Sequence, residues 1–315
     1  MVYGNGYRTM SGKTNFLKAC ETWNCAKVKE YLDNGVDVNV RDGANFALKH
    51  VAAPRKNKSG KRLSGIQLLE VLLACPNIDV NIQDNDGKTA FLLACINGSR
   101  EVAERMLTLN IDVNHRDKRG KTAFMWSCIY GRREIVDMLL KNPKIDIHCL
   151  DNTGRNAFMM SCNGGQKQIV EKLLSYPIDI NCRDCHGRTA LMLAWNAGRH
   201  SNREDIIAML LGTDGIKVKG GDDYVQNMLL SSVGMGRDDI TRMLLALPGI
   251  RVNYQETGTR ETALMKACRP GYHNHRSSKC IKMLLGMGSK FVFLDAVASL
   301  ELHHETQSET LFKKC

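Results

Sequence analysis

Gly87-Lys-Thr-Ala-Phe-Leu-Leu-Ala-Cys95 decides the reading of this chain, because the same phrase keeps returning with small changes. It recurs as Gly120-Lys-Thr-Ala-Phe-Met-Trp-Ser-Cys128, Gly154-Arg-Asn-Ala-Phe-Met-Met-Ser-Cys162 and Gly187-Arg-Thr-Ala-Leu-Met-Leu-Ala-Trp195, at steps of 33, 34 and 33 residues. Gly12-Lys-Thr-Asn-Phe-Leu-Lys-Ala-Cys20 precedes it, and Arg260-Glu-Thr-Ala-Leu-Met-Lys-Ala-Cys268 follows. Two weaker copies lie in the wider gaps, at Asp42–Leu48 and Asp222–Leu229, so six clear phrases and two weak ones make eight. A fixed period of this size marks a stacked repeat array and outranks any local signal.

A second phrase recurs in the same phase: Val36-Asp-Val-Asn39, Ile78-Asp-Val-Asn81, Ile111-Asp-Val-Asn114, Ile145-Asp-Ile-His148, Ile178-Asp-Ile-Asn181 and Ile250-Arg-Val-Asn253. Between the two phrases run stretches such as Glu134-Ile-Val-Asp-Met-Leu-Leu140, apolar at helical spacing. Each unit therefore predicts a turn, a short helix, a turn, a longer helix and a turn. The glycine suits a turn needing positive φ. The threonine two residues on can satisfy free N–H groups where the first helix starts. A second glycine (Gly98, Gly131, Gly165, Gly198) separates the helices. A unit this short cannot bury its apolar face alone, so neighbours must stack.

Together the two phrases resemble the ankyrin repeat, over roughly residues 9–288. The chain departs from the family's pattern in two ways. Ala90, Ala123, Ala157, Ala190 and Ala263 stand where proline is usual, and Leu92, Met125, Met159, Met192 and Met265 where histidine is usual. The resemblance implies an all-α solenoid of about eight helix-turn-helix repeats joined by turns or β-hairpin fingers. The expected repeats are 9–41, 42–83, 84–116, 117–150, 151–183, 184–221, 222–255 and 256–288. Residues 1–8 precede them, and 289–315 hold a capping helix, Phe291–Leu300, and a polar tail. The 222–255 unit carries the weakest signal, lacking both the glycine and the threonine.

Composition bounds the function. With 43% apolar and 24% charged residues the 315-residue chain reads as soluble and globular. It has no apolar run near the roughly 18 residues of a membrane span and no apolar N-terminal stretch of a secretory signal. A cytoplasmic or nuclear protein is expected. Five of the twelve cysteines, Cys20, Cys95, Cys128, Cys162 and Cys268, fall in core slots and read as small reduced hydrophobes rather than bridges. The net charge of +11 favours acidic partners.

Motifs that could carry chemistry fall away on inspection. Gly12-Lys13-Thr14 lacks the glycine a phosphate loop needs five residues earlier, where Tyr7 stands, and Gly-Lys-Thr is part of the repeat. Cys182-Arg-Asp-Cys185-His186 matches a haem-attachment string but sits at a repeat junction. His148, Cys149, Cys182 and Cys185 could assemble a zinc site only if the turns bend together; unliganded turn residues are the expectation. No Ser/His/Asp, Cys/His or paired-carboxylate arrangement stands out, and His273, His275, His303 and His304 fall in an inserted loop and the tail. The sequence predicts no enzyme, no cofactor and no metal.

The resemblance implies that partners contact the turn tips and the exposed, concave side of the first helices. Lys88, Lys121, Arg155 and Arg188 share one slot in four consecutive repeats and should form a basic stripe, which Arg119, with Arg116, Lys118, Arg132 and Arg133, densifies. Trp126 falls in a core slot; Ile129 and Tyr130 are the accessible apolar anchors. The expected function is a monomeric, non-catalytic adaptor or regulator that binds a protein with an acidic segment. A nucleic-acid surface is weaker, since only 6% of residues are aromatic and none interleave the stripe. A targeting module of a larger enzyme or ubiquitin-ligase assembly is the third reading. The insertion at 54–65, with five basic residues and no acidic one, reads as a solvated loop or else a contact or nuclear-import patch. Asparagines of the Asp-Val-Asn turns are similar to substrates of the oxygen-sensing asparaginyl hydroxylase, and Asn81, with Leu73 eight residues before it, fits best.

Overall fold

Two hydrophobic patterns per repeat become two helices, and from the third repeat to the seventh a side-chain cap marks where the first of the pair begins. A computed structural model of the protein describes residues 10–43, 45–53, 55–56, 62–63, 65–197, 202–218, 222–268 and 277–288. They divide between two compact units, Met1–Ile206 and Ile207–Cys315.

The first unit opens with α1 (Met10–Glu21) and α2 (Cys25–Asp33). Asn24 caps α2 through a hydrogen bond accepted from the Lys27 N–H at 3.1 Å. Here the sequence expectation fails in one respect. Gly12-Lys13-Thr14 lies inside α1 instead of forming a turn. No aspartate stands three residues before Gly12, whereas Asp84, Asp117, Asp151 and Asp184 stand three before their glycines.

The antiparallel pair β1 (Arg41–Asp42) and β2 (Asn45–Phe46) leads into a 3₁₀ helix, Ala47–Ala52, which takes the place of the second repeat's first α-helix. Phe46, at the capping position before it, offers no side-chain cap. Within the insertion, β3 (Arg55–Lys56) pairs antiparallel with β4 (Arg62–Leu63), and α3 (Ile66–Leu73) completes the repeat. All described strands lie in 41–63; the later repeats are joined by tight turns, with a single bridge between Gln83 and Thr89.

Regular pairs follow: α4 (Ala90–Asn97) with α5 (Arg100–Leu107), α6 (Ala123–Ile129) with α7 (Arg133–Leu140), and α8 (Ala157–Asn163) with α9 (Lys167–Leu174). Then come α10 (Ala190–Asn196) and α11 (Arg203–Leu211), within which the division between the units falls. Thr89, Thr122, Asn156 and Thr189 cap the first helices, accepting the N–H three residues on at 3.3, 3.3, 2.9 and 3.4 Å. Each cap is worth about 1 kcal/mol. First helices pack on first helices (α4 on α6, α6 on α8, α8 on α10), and second helices likewise (α3, α5, α7, α9). The second helices bury the same three positions: Val102, Ala103 and Met106; Ile135, Val136 and Leu139; Ile169, Val170 and Leu173. Burying each of the larger side chains contributes roughly 1.5–3 kcal/mol.

The second unit holds α12 (Asp223–Gly234), α13 (Asp238–Leu245), α14 (Ala263–Cys268) and α15 (Ser277–Gly286). The 222–255 segment, weakest in sequence, forms a full helix pair. Asp222 replaces the missing threonine by accepting from the Tyr224 N–H at 3.1 Å, and buried Ser232 and Thr241 hydroxyls bond across the pair at 3.0 Å. Gly198, the inserted loop with His273 and His275 and the expected capping segment 291–300 lie outside the described residues.

Candidate partner-binding face

One aspartate closes each turn from the third repeat to the sixth. Its Oδ1 accepts two backbone N–H groups: Asp86 and Lys88 on Asp84, Arg119 and Lys121 on Asp117, Thr153 and Arg155 on Asp151, His186 and Arg188 on Asp184, all at 2.9–3.0 Å. The aspartate N–H donates to the carbonyl four residues on, and the glycine N–H donates back to the aspartate carbonyl. Neighbouring tips are tied as well. Lys118 N–H donates to the Asp86 carbonyl at 2.9 Å, Asn152 to Arg119 at 3.1 Å and Cys185 to Thr153 at 2.8 Å. Gly120 shows how close the tips lie: its φ is +75°, and a Cβ there would meet Asn152 Oδ1 at 2.3 Å. The four tips form a rigid row.

The aligned cations are built into this row. Lys121 forms an ion pair with buried Asp151, and Arg155 reaches Asp184 at 3.1 Å, each gripping the next repeat's carboxylate. Arg188 folds back on the same Asp184 at 2.9 Å, and Lys88 pairs with exposed Asp86 at 3.0 Å. These four side chains are 17–35% exposed. Exposed and outside any ion pair among the described residues are Lys118 and Arg119. Burial raises the Asp184 carboxyl, but the Arg188 N–H and the Arg155 guanidinium outweigh it and hold the group at about 2. Asp151 is likewise lowered against its burial, by Lys121 and Thr153.

Beside the second of these tips stands an aromatic stack. Trp126 is 8% exposed, and its indole N–H donates to Asp117 Oδ2 at 2.8 Å. One helical turn on, Tyr130 stacks on it with centroids 5.5 Å apart and planes at 10°. Tyr130 is 47% exposed. Lys88 and Lys121 ammoniums lie 5.6 and 5.9 Å from the Trp126 ring, and the Arg132 guanidinium 5.9 Å from Tyr130. Ile129 is half-buried, its carbonyl accepting from the Gln166 amide at 3.2 Å. The structure thus gathers Lys88, Arg119, Lys121, Ile129 and Tyr130 around one repeat, while Arg155 and Arg188 sit one and two turns along. In the sequence the aspartates that organise the face are legible only as the end of the recurring Asp-Val-Asn-x-x-Asp close, and their part in shaping the turn, in an Asp-x-x-Gly of the same period, is seen only in the structure.

The cysteine-rich turns show different chemistry. Cys149 Sγ donates to Asp146 Oδ2 at 3.2 Å, and Cys182 to the Gly154 carbonyl at 3.6 Å. Among the described residues no group of three or more His, Cys, Asp or Glu side chains could hold a metal ion. Nor is any described helix long and apolar enough to cross a membrane.

The family model described as "Ankyrin repeats (3 copies)" matches residues 61–151 and 143–222, which together span just over half of the chain. The chain belongs to the ankyrin-repeat family. Ankyrin repeats are in general protein–protein interaction modules, and the family is generally non-catalytic. No curated protein matches the chain in sequence.

Proposed function

We infer that the protein is a non-catalytic adaptor or regulator, acting as a monomer, that grips an acidic or acidic-aromatic segment of a partner protein with the turn tips and first helices of its third to sixth repeats. The observation carrying this is Tyr130, an exposed ring stacked on a fixed tryptophan and bordered by cations. A flat aromatic anchor held in place binds at low entropic cost, and cations around it select carboxylates. Lys88, Lys121, Arg155 and Arg188 set the frame and lend partial positive charge; Arg119 and Lys118 meet the partner's carboxylates directly. Each exposed pair contributes about 0–1 kcal/mol, so Tyr130 and Ile129 supply the larger share. Cysteines buried singly in separate repeats, such as Cys95, Cys128 and Cys162, suit a reducing compartment, the cytoplasm or nucleus.

The test is binding of the partner captured by the recombinant chain. Tyr130→Ala should chiefly speed dissociation, and Lys118→Glu with Arg119→Glu should slow association and flatten its salt dependence. Reversing Lys121 or Arg155 is unsuitable, because a glutamate there would face buried Asp151 or Asp184. If both variants bind like wild type, the face is not the site. Tight binding to DNA or RNA of any sequence, falling steeply with salt, would favour the nucleic-acid reading instead.

A modification site belongs to the same reading. Asn81 is exposed, and its amide reaches the next repeat's Asn110 carbonyl at 3.5 Å, against 2.7 Å for the equivalent bonds of Asn39 and Asn114. It is the least firmly held of the three, which suits an enzyme that must draw it out. Incubation with the asparaginyl hydroxylase should add one oxygen to the Asn81 peptide; no mass gain would dispose of the idea.

A further inference from the structure

The second helices carry a groove that the turn-tip face does not use. At the C-terminal ends of α5 and α7, Leu107, Leu109, Ile111, Val113 and Met138 line a depression of about 430 Å³, and Lys141 and Lys144 stand on its rim. Only Val113 is fully buried; the other four floor residues are half-buried. A pocket for a small molecule encloses most of its ligand. This floor is open, and it suits one large apolar side chain of a longer segment lying across it.

The rim is held while its charges are not. Lys144 N–H donates to Asn142 Oδ1 at 3.0 Å, and its carbonyl accepts from the Asn114 amide at 2.7 Å. Asn114 Oδ1 in turn accepts from the Asp146 N–H at 2.9 Å, fixing the loop from both sides. Both lysines are exposed, and neither takes part in an ion pair among the described residues; nearby Asp137 is occupied by Lys172 at 2.5 Å. Equivalent positions after the second helices of other repeats carry no such pair: Ala74 and Asn77 in the second, Ala246 and Gly249 in the seventh. Two unpaired ammoniums beside an apolar floor are thus particular to this one repeat.

We propose that this groove docks an acidic segment of a protein partner, with one leucine- or phenylalanine-sized side chain on the Ile111–Met138 floor and flanking carboxylates on Lys141 and Lys144. The charge complementarity names the occupant: an all-apolar segment would leave both ammoniums unanswered, and a basic one would be repelled. The proposal stands apart from the turn-tip face, whose aromatic anchor lies on a first helix.

The probe is the peptide acetyl-Glu-Asp-Phe-Asp-Glu-amide, titrated into full-length protein carrying labelled Met, Ile and Leu methyls and followed by NMR. Met138 and Ile111 methyl signals should shift saturably. Lys141→Glu with Lys144→Glu should weaken binding, as read at those two methyl signals, about tenfold, the loss of two exposed ion pairs. Unmoved methyls at millimolar peptide, or equal binding by the charge-reversed variant, would overturn the proposal. So would decanoate shifting the same methyls at lower concentration than the peptide, which would make the groove a site for a fatty anion. Shifts confined to the Ile129 methyls beside Tyr130, lost in Tyr130→Ala, would overturn it too while leaving the turn-tip reading intact.

Discussion

Removing the carboxylate of Asp184 separates the two jobs that the turn aspartates perform. Oδ1 closes the turn on the His186 and Arg188 N–H groups, each at 3.0 Å, and Oδ2 holds the Arg155 and Arg188 guanidiniums at 3.1 and 2.9 Å. Hydrogen bonds to a charged acceptor are worth about 1.5–3 kcal/mol each. The sum is discounted because both guanidiniums are partly exposed and recover water when released. Asp184→Ala should therefore cost about 2–4 kcal/mol. Asp184→Asn keeps an oxygen for the two N–H groups but loses the charge and puts an NH2, which cannot accept, where Oδ2 held the two guanidiniums, so about 1–2 kcal/mol is expected. In urea titration, with slopes of about 1–3 kcal/mol/M, the alanine variant should unfold roughly 1 M earlier. Because repeat arrays can unfold piecemeal, hydrogen exchange at the His186 and Arg188 amides supplies a local reading. The pH dependence adds a check with a definite sign. The folded carboxyl lies at about 2, below its ordinary 3.8, so its charge stabilises the fold above about pH 4 and that contribution fades as pH falls toward 2. Wild type should exceed the asparagine variant at neutral pH, and the gap should close across that window. If alanine costs no more than asparagine, or the gap is independent of pH, the division of labour argued here is wrong.

Leu139 and Leu173 are fully buried at the same slot of successive second helices, and replacing either by alanine should cost about 2–5 kcal/mol in denaturant titration; a loss under about 1 kcal/mol would mean the core is not packed as described. Burial pushes the Cys20 thiol up to about 12 and raises Cys95, Cys128 and Cys162 further. Iodoacetamide at pH 8 should accordingly label exposed Cys185 in the native protein and reach those four only after denaturation, as peptide mass spectra would show. Amides in 117–183 should exchange more slowly than those in 222–255, whose sequence lacks the glycine–threonine start; the reverse order would undo the link between repeat regularity and local stability.

The helix pairs of 84–197 were legible because three independent signals coincide there: the period, the capping Thr or Asn and the buried triplet of each second helix. Where one signal was missing, inference slipped in opposite directions. Gly12-Lys-Thr looked like a turn, yet without an aspartate ahead of it the backbone stays helical through it. The 222–255 unit looked degenerate, but Asp222 caps it and a Ser–Thr hydrogen bond fills its core. Side-chain partnerships across repeats were the hardest to see. Alignment put Lys121 and Arg155 in one column, but nothing in a linear string says that each reaches the carboxylate about 30 residues ahead. The bond from Trp126 to Asp117 was hidden for the same reason, since it bridges a turn and a helix rather than a helical step.

The turn geometry has a consequence for how such a surface can be rewritten. Closure at 117–121 uses the Asp117 side chain, one glycine and main-chain groups, with the Arg116 guanidinium donating to the Gly120 carbonyl at 3.1 Å and the Asn152 amide to the Lys118 carbonyl at 2.9 Å, and the strap from Lys118 to Asp86 is main chain. The side chains of Lys118 and Arg119 therefore contribute nothing to holding their own loop, and the same is true of Cys185 and His186. Such positions behave like interchangeable type in a fixed frame. A new specificity could be set there letter by letter, at almost no cost to the fold.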